Sequence, residues 1–352
     1  MKTTLTIVVI GRNEESAITS CLRAALAAAE EVGGAELIYV DSHSTDRTVE
    51  IVRGLGVQVE MLDNRLRRCP SAGRYAGTLA AKGDYILFLD ADTHIYTGFL
   101  PEAIRILEND PRLAGLNGWI DDIDENGVRV TEIDERFESF REVKWLRGPS
   151  CLYRRTALLE VGSFDPQLAM EEEAELGLRL TNSDWRLAVI PVAMSCHTRC
   201  FHPNSLATTL STFKRDLKAK RLGEVTRTIA HSFRNGYGLE FIWLRLKTTV
   251  VFSAWLFTMV VACLLPFGYY SFAIPSIVFA AGAFSMILKK KGPSQALTFA
   301  FAKLINIIDV LIGLHHLDSR PTRPETHRSQ TVGSTAKIGP ITSNNSDLAT
   351  DS

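Results

Sequence analysis

Neither sign of charge prevails in this chain, and that balance removes one broad class of partner. The 352 residues contain 39 Lys and Arg against 40 Asp and Glu, which gives a formal net charge of −1. Proteins that bind the phosphate backbone of nucleic acids ordinarily carry a basic patch or a basic balance. The composition therefore gives no reason to expect nucleic acid as a partner.

Cysteine is scarce, and its spacing is irregular. The six cysteines lie at positions 21, 69, 151, 196, 200 and 263, without the spacing of a disulfide framework. The segment SCHTRCFH (195–202) places Cys and His together, but no second pair elsewhere completes a structural zinc site. The chain begins without the long apolar run and small-residue cleavage site of a signal peptide. We therefore expect a protein of the reducing cytoplasm.

The first strand-like run lacks the glycine pattern of dinucleotide-binding proteins. In VVIGRNEES (8–16), Gly11 stands alone, without the further glycines that let a backbone approach a pyrophosphate. A nucleotide bound here would need its phosphates neutralised in another way, by a divalent cation and an arginine.

Short apolar runs alternate with segments of helical periodicity over residues 5–89. We predict strands at 5–10, 35–40, 57–62 and 84–89. The first intervening segment has apolar residues at helical spacing, and the second begins with a Ser-Thr-Asp helix-start signal at Ser44-Thr45-Asp46. This alternation predicts an α/β fold, with a mainly parallel sheet and helices on both faces.

Polar and acidic residues follow three of the predicted strands. Gly11-Arg12-Asn13-Glu14 follows the first strand, Asp41 the second, and Asp90 and Asp92 the fourth. Because ligands of such sheets bind beyond the carboxyl ends of the strands, we predict a ligand crevice at this edge. Two carboxylates one residue apart also suggest a cation, and oxygen ligands suit Mg²⁺ or Mn²⁺.

Two long apolar runs follow one another along the chain, the first of them from Thr248. Residues 248–267 and 271–288 contain no charged side chain, and both are close to the length that crosses a bilayer core. Arg245 and Lys247 precede the pair, and three lysines follow it. This charge distribution favours a transmembrane hairpin with both ends in the cytoplasm. The alternative is a buried helical hairpin of a soluble protein.

The remaining C-terminal segments differ in character. Residues 294–317 carry polar side chains at intervals of three to five, which predicts an amphipathic helix that lies in the membrane interface or packs on the catalytic domain. The basic stretch 211–224 suits either an anionic lipid headgroup or a solvated surface. We assign 1–230 to the catalytic domain and 231–247 to a juxtamembrane connector. The Ser/Thr/Pro/Asn-rich tail 318–352 is expected to be disordered.

Five sequence blocks occur in the order and spacing typical of one enzyme family. They are TIVVIGRNEES, ELIYVDSHSTDRTVEI, AGRYAGTLAAKGDYILFLDADT, GPSCLYRRTALLEVGSFDP and EEEAELGLRL. Over about residues 4–200 the chain resembles the family 2 glycosyltransferases of the GT-A fold, of which many bacterial members carry a C-terminal anchor. The resemblance implies an inverting hexosyltransferase. In this family a divalent cation, Mn²⁺ or Mg²⁺, binds the diphosphate of a nucleotide sugar.

The resemblance implies specific residues on the donor side. Those expected to contact the nucleotide are Gly11, Arg12, Asn13, Glu14, Asp41, Arg74 and Asp90. Asp90-Ala91-Asp92 matches the DxD motif, so the metal would be held by Asp90 and Asp92. His197 lies where some members complete the metal shell with a histidine, although a lone histidine can also be structural. Tyr75 departs from the family, which often has Asn after the arginine.

The acceptor side is implied by two further blocks. Gly148, Pro149 and Ser150 match a turn that faces the acceptor. The catalytic base falls on Glu173, where the family more often has Asp, and Glu172 is the alternative because the longer side chain is more flexible. Glu171 and Glu175 are expected only to favour the helix N-terminus. Arg179 either pairs with acids on its own helix or orients the site.

These expectations combine into one function. The chain would transfer sugar from a nucleotide sugar, a UDP-sugar first among them, to a lipid-linked or membrane-associated acceptor in exopolysaccharide or surface-glycan assembly. We expect a multi-pass protein of the inner or plasma membrane, with its catalytic domain in the cytoplasm. Two alternatives are a haloacid-dehalogenase-like phosphatase and a catalytically silent membrane scaffold. His94 at the fifth motif position, and the three strands ahead of Asp90, argue against the phosphatase.

Overall fold

The computed structural model describes residues 4–123, 139–198, 206–218, 222–264, 282 and 293–316. The strands are β1 (Leu5–Gly11), β2 (Glu36–Asp41), β3 (Gln58–Met61), β4 (Tyr85–Asp90), β5 (Thr93–Ile95), β6 (Leu113–Ile123), β7 (Arg141–Val143), β8 (Ser150–Arg154) and β9 (Arg186–Thr198). The strands predicted from the sequence at 5–10, 35–40, 57–62 and 84–89 correspond to β1 to β4.

Helices occupy most of the remaining described chain. They are α1 (Ile18–Glu30), α2 (Thr48–Gly54), α3 (Pro70–Ala80), α4 (Phe99–Asn109), α5 (Arg155–Glu160), α6 (Glu172–Asn182), α7 (Leu206–Lys218), α8 (Glu224–Arg234), α9 (Gly238–Phe241), α10 (Lys247–Leu264) and α11 (Pro293–His316). A π turn, Ile242–Leu246, joins α9 to α10. The predicted connector 231–247 therefore contains the end of α8, α9 and this turn.

The sheet is mixed rather than mainly parallel. Its strand order is β3-β2-β1-β4-β8-β6-β9-β5, and β7 pairs with β9. The pairs β3–β2, β2–β1 and β1–β4 are parallel, as predicted. The prediction is wrong for β8, which runs antiparallel to both β4 and β6. β5 and β7 also run antiparallel to β9, whereas β6 and β9 pair in parallel. β8 enters from a loop and not from a crossover helix, so its direction is free to reverse.

Alternate side chains of the central strands enter two cores, one on each face of the sheet. Ile7 and Val9 of β1 belong to the core that α1 covers, whereas Val8 and Ile10 belong to the core on the α3 side. A Cβ added to Gly77 of α3 would overlap the side chain of Val8. Because residue 77 is glycine, α3 approaches β1 closely, and this brings Arg74 of the same helix to the edge where β1 and β4 end.

The helix predicted at 294–317 is observed as α11, and it packs on α8. Asp309 of α11 accepts a hydrogen bond from the amide of Gly223 at 2.6 Å. Thr226 donates to the carbonyl of Val310 at 3.2 Å, and Gly223 and Gly313 allow the two backbones to approach. α8 is itself tied to the sheet domain, because Glu224 forms a two-pronged ion pair with Arg67 at 2.6 and 2.9 Å.

The transmembrane prediction is not supported by the described helices. None of the helices that the structure describes combines the length and the apolarity that a membrane crossing requires. The first predicted span, 248–267, is described through Leu264 only, and in the second, 271–288, only Gly282 is described. The tail 318–352 also lies outside the described residues.

Candidate active site

Arg74 of α3 is at the centre of the candidate site, and its side chain is almost wholly buried. Its Nη2 donates to Asp90 Oδ1 at 3.0 Å and to the carbonyl of Gly148 at 2.9 Å. Its Nη1 lies 3.1 Å from Glu172 Oε1 and 3.5 Å from Glu173 Oε1. One guanidinium thus joins the end of β4, the loop before β8 and the first turn of α6.

The charges around Arg74 stabilise its protonated form. Burial acts to lower the pKa of Arg74, but the carboxylates of Asp90, Glu173 and Glu172 outweigh burial and raise it. Burial also raises the pKa of Asp90, while Arg74 opposes that rise. The cluster holds more carboxylates than arginines, so it can accept further positive charge without becoming strongly cationic.

The two candidate bases differ in access to solvent. The side chain of Glu172 is 6% exposed, whereas that of Glu173 is 20% exposed. Burial raises the pKa of both carboxyl groups, and their proximity adds to the rise for Glu172. A raised pKa suits a general base that works near neutral pH. Glu173 is the better candidate because its side chain is the more exposed of the two.

Gly148 is the residue that lets the loop before β8 approach α6. A Cβ at position 148 would overlap Glu173 Oε1 and fall 3.0 Å from Arg74 Nη2. The backbone of this loop therefore contributes directly to the site. Pro149 also participates through its carbonyl, which accepts a hydrogen bond from the amide of Asp90 at 3.0 Å.

Ser150 is placed differently from its neighbours. It is fully buried, and its Oγ lies 2.7 Å from Oγ of Ser195 on β9. Asn117 of β6 donates to the Ser150 carbonyl. The Ser150 hydroxyl is thus committed to the interior of the sheet, and of the predicted acceptor turn only Gly148 and Pro149 face Arg74 and Asp90.

The turns after β1 and β2 are locked together through Ser44. Asp41 is fully buried, and its two oxygens accept from the Ser44 amide at 2.8 Å and the Ser44 hydroxyl at 2.6 Å. The Ser44 hydroxyl accepts in turn from the Asn13 amide at 2.9 Å, and Asn13 Oδ1 accepts from the Thr45 amide at 2.7 Å. Asp41 and Asn13 are therefore brought together, although they belong to different turns.

The structure gives the helix-start signal a second role. Asp46 accepts from the amide of Thr48, the first residue of α2, at 3.0 Å, as expected of a residue at a helix start. Ser44 and Thr45 instead hold the turns after β1 and β2 together. Asn13 adopts a left-handed conformation with φ of 59°, which asparagine tolerates better than most residues.

Acidic residues crowd the edge between β1 and β4. Gly11 approaches Ala91 so closely that an added Cβ would lie 2.7 Å from the Ala91 Cβ. Burial, followed by the charges of Asp92 and Asp90, raises the pKa of Glu14 to about 7. Arg12 lies on the same turn with its side chain exposed. This edge therefore has an excess of negative charge, which a cation would neutralise.

Asp92 and His197 form the part of the site best suited to a metal. His197 Nε2 lies 3.3 Å from Asp92 Oδ2, and His197 Nδ1 lies 3.4 Å from Asp122 Oδ1. Burial acts to lower the pKa of His197, but the hydrogen bonds to Asp122 and Asp92 raise it to about 9. Metal-binding histidines commonly use one ring nitrogen for the ion and the other for a carboxylate. Asp122 fits that supporting role.

The predicted metal ligands, Asp90, Asp92 and His197, do not by themselves form a complete metal site. Within the described part of the chain, no group of three or more His, Cys, Asp or Glu side chains is arranged to hold an ion. Asp90 is committed to Arg74 through one oxygen. The two residues that do meet fit a cation that shares its remaining ligands with a substrate or water, as Mg²⁺ and Mn²⁺ do. The SCHTRCFH segment is described only through Thr198.

Sequence reasoning missed the roles of several acids. Asp122 became recognisable only from the register of β6 with β9, which sets it opposite His197. The expectation that Glu175 only favours the helix N-terminus is wrong, because it is fully buried and accepts from Arg179 at 2.7 and 2.8 Å and from the Tyr237 hydroxyl at 2.5 Å. Of the two roles expected for Arg179, the structure shows the pairing with an acid of its own helix, Glu175. Glu171 pairs with Arg245, which the sequence did not predict.

The order of this sheet, with an acidic motif after β4 and with Glu172 and Glu173 at the start of α6, is that of the GT-A class of fold. The profile of glycosyl transferase family 2 matches residues 6–164, a segment that contains Asp41, Arg74, Asp90 and Asp92. The chain is therefore similar to this family over a little under half of its length.

Similar proteins support the same assignment at low identity. Probable glycosyltransferase YdaM of Bacillus subtilis (strain 168) is 23% identical over 219 residues, or 54% of this chain and 50% of that protein. The dolichyl N-acetyl-alpha-D-glucosaminyl phosphate 3-beta-D-2,3-diacetamido-2,3-dideoxy-beta-D-glucuronosyltransferase of Methanococcus voltae is 28% identical over 131 residues, or 35% of this chain and 40% of its own. The chain spans about half the length of the curated relatives that it matches.

Among solved structures, the fold resembles that of mannosyltransferase PcManGT from Pyrobaculum calidifontis in complex with GDP-Man and Mn²⁺. The two chains are 15% identical, with a TM-score of 0.59 over 89% of this chain and 88% of that chain. The likeness shows a common fold.

Proposed function

We propose that this chain transfers a sugar from a nucleotide sugar to an acceptor hydroxyl and releases a nucleoside diphosphate. The observation on which the proposal rests is the position of Arg74, which contacts Asp90 on one side and Glu172 and Glu173 on the other. A buried guanidinium can stabilise charge that develops on a leaving diphosphate. The same guanidinium contacts the candidate base, Glu173, on the side away from Asp90.

The donor would lie along the turns after β1 and β2. Asp41, buried and bonded to Ser44 through both oxygens, would hold these turns in place, and the exposed Asn13 would face the ribose or base. Asp92 and His197, with Asp90, would hold a divalent cation, which supplies positive charge for the leaving diphosphate. The Mn²⁺ and GDP-Man bound by the structurally similar mannosyltransferase support this proposal. A UDP-sugar remains the first donor to test.

The chemical step needs a base opposite the leaving group. The acceptor oxygen bonds to the anomeric carbon as the bond from that carbon to the phosphate oxygen breaks, and the electron pair leaves with the diphosphate. The acceptor proton passes to Glu173, which is the more exposed of the two acids. A single displacement inverts the anomeric centre and requires no covalent intermediate, so it needs only one such carboxylate.

We further propose that the acceptor is membrane-associated and that the C-terminal helices reach a membrane, either as the predicted hairpin or at the interface. Large apolar side chains are exposed on α9, the π turn, α10 and α11: Leu239, Trp243, Val250, Val251, Phe257, Leu304, Leu311 and Leu314. Exposed apolar surface of this extent is typical of membrane or protein contacts. The M. voltae relative is named for transfer to a dolichyl phosphate-linked sugar. A cytoplasmic catalytic domain at the inner or plasma membrane, in surface-glycan assembly, accords with these features.

The proposal is tested by a screen of radiolabelled nucleotide sugars. The full chain is incubated with native membranes and Mn²⁺ or Mg²⁺, and label in the lipid fraction is measured. We expect one nucleotide sugar to label lipid in a cation-dependent way, and Asp92→Asn to lose most of that transfer. Release of inorganic phosphate from simple phosphoesters, without sugar transfer, would instead favour the phosphatase. Failure of every donor would favour the silent scaffold.

A further inference from the structure

The candidate base depends on a close contact between α6 and the loop at residues 144–149. A Cβ at Gly177 of α6 would overlap the Lys144 carbonyl and fall 2.9 Å from the Trp145 Cα. Gly148 is packed with similar closeness against Glu173. The two elements thus touch at two glycines. Gly148 of the loop packs against Glu173 in the first turn of α6, and Gly177 of α6 packs against Lys144 and Trp145 of the loop. Any separation of loop and helix would move Glu173 relative to Arg74.

The residue immediately before α6 adopts an uncommon conformation. Glu171 has φ of 63° and ψ of 19°, in the left-handed region. For a residue with a side chain this conformation is unfavourable, so it persists only where other contacts hold it. Glu171 directly precedes the two acids that contact Arg74, so its conformation sets the direction in which they leave the backbone.

Arg245 supplies contacts that hold Glu171. Its Nη2 donates to Glu171 Oε1 at 3.1 Å, and its Nε donates to Glu171 Oε2. The arrangement is two-pronged, which fixes the carboxylate more firmly than a single bond. The pair is only partly buried, with side-chain exposures of 29% and 21%, so we infer a geometric role rather than a large contribution to stability.

The same guanidinium also contacts the loop. Arg245 lies over the ring of Trp145, 4.4 Å from its centroid, an attractive cation–π geometry. Trp145 precedes Gly148 by three positions, so Arg245 touches both elements whose contact determines the position of Glu173. Arg245 belongs to the π turn that continues into α10, and π turns inside helices often occur at functional sites.

We propose that Arg245 is a positioning residue for glycosyl transfer, which joins the helix leading into α10 to the base-bearing first turn of α6. The proposal rests on the proposed function, in which Glu173 takes the acceptor proton. Arg245 acts through Glu171 and Trp145, and neither of these belongs to the candidate donor residues. A displacement of α10, for instance by engagement with a membrane, would then be transmitted to Glu173.

The test compares four forms of the full chain: wild type, Arg245→Met, Arg245→Lys and Arg234→Met. Arg234 is exposed at the end of α8 and serves as the matched control. We expect Arg245→Met to lower kcat about tenfold, because a small displacement of a reacting group has effects of this size or larger. The KM for the nucleotide sugar should stay within about twofold, since the donor turns are untouched. Arg245→Lys should recover part of kcat, and Arg234→Met should behave as wild type.

The outcomes separate this inference from the proposed function. Suppose that wild type transfers sugar. The positioning role is then overturned if Arg245→Met keeps the wild-type kcat. It is also overturned if Arg245→Met lowers kcat, raises the KM for the nucleotide sugar and lowers the melting temperature together. If wild type transfers no sugar, the proposed function fails, and hydrogen exchange decides the inference. Arg245→Met should then accelerate exchange of amides at 171–176, whereas Arg234→Met should not. Equal exchange in the two variants would overturn the coupling.

Discussion

At the scale of single residues, the stability of the site depends most on Arg74. The arginine is buried and contacts three carboxylates from β4 and α6, while its Nε is among the buried atoms without a hydrogen-bond partner in the described residues. Removing one partner of a buried ion pair is costly because the charge left behind has no compensation. Here the charges left behind would be carboxylates.

Replacing Arg74 by methionine should therefore destabilise the protein. We expect Arg74→Met to lower the free energy of unfolding by about 3–5 kcal/mol, measured by urea denaturation at pH 8. Adding Glu172→Gln should return part of that loss, because one unpaired carboxylate is then removed. If the double variant is as unstable as the sum of the two single changes, the carboxylates do not depend on Arg74 as described.

Motifs identified some of these residues from sequence and missed others for a clear physical reason. Asp41, Arg74, Asp90 and Glu173 lie in blocks whose order is typical of the family. Asp122 has no such signal, because its role depends on the pairing of β6 with β9, and that pairing contains register shifts. Shifts of this kind cannot be read from alternation along one strand.

At the scale of elements, the contact of α6 with the loop before β8 decides where the base lies. Gly148 has no side chain, and Glu173 occupies the space that a Cβ would need. The obstructing atom is the end of a flexible side chain, so a larger residue can be accommodated by moving Glu173 rather than by disrupting the fold.

Gly148→Ala should accordingly reduce sugar transfer much more than stability. We expect a loss of about tenfold or more in kcat, with a melting temperature within a few degrees of wild type. Gly54→Ala is the matched control, because Gly54 lies in α2 and a Cβ added there would meet no other part of the described chain within 4 Å. Alanine also favours helix. Equal activity of Gly148→Ala and wild type would show that Glu173 tolerates displacement.

Glu175 joins α6 to α8 and α9, and this connection should respond to acid. Burial acts to raise its pKa, but Arg179 and His231 outweigh burial and lower the pKa from 4.5 to about 2. The ionised form is thus favoured in the folded protein. Its stabilising effect is complete above pH 4.5 and is lost as the pH falls toward about 2.

Glu175→Gln should remove that part of the acid sensitivity. The free energy of unfolding of wild type should fall between about pH 5 and pH 3 more steeply than that of the variant, as followed by urea denaturation across this range. Glu160→Gln, a change at an exposed glutamate of α5, should keep the wild-type slope. Parallel slopes for Glu175→Gln and wild type would contradict a depressed pKa at Glu175.

The elements also differ in how far sequence could predict them. β1 to β4 and the helices between them follow from local periodicity, and their parallel pairing follows from the alternation. β5, β7 and β8 pair over long separations with no local signal for direction. Glu175 was assigned only to the helix dipole, because its contacts with α8 and with Tyr237 join residues more than fifty positions apart.

At the scale of the whole molecule, the described residues from Thr4 to His316 belong to one compact unit. The C-terminal helices contact the sheet domain at defined points, through Arg67 with Glu224 and through Arg245 with Glu171, and the second pair adjoins the candidate bases. Composition located α11 and the apolar run that contains most of α10. It presented 231–247 as a connector, because apolar content does not say which surface a segment packs against. Sugar transfer and the orientation of the C-terminal helices should therefore be linked properties of this chain.

The most direct measurement of the central claim is the rate of sugar transfer by Glu173→Gln beside Glu172→Gln and Glu160→Gln, with the donor found in the nucleotide-sugar screen. Glutamine keeps the size of Glu173 but cannot take the acceptor proton. We predict that Glu173→Gln lowers kcat by about 10²–10⁴-fold, that Glu172→Gln lowers it less, and that Glu160→Gln retains the wild-type rate. Transfer by Glu173→Gln at the wild-type rate would contradict the account.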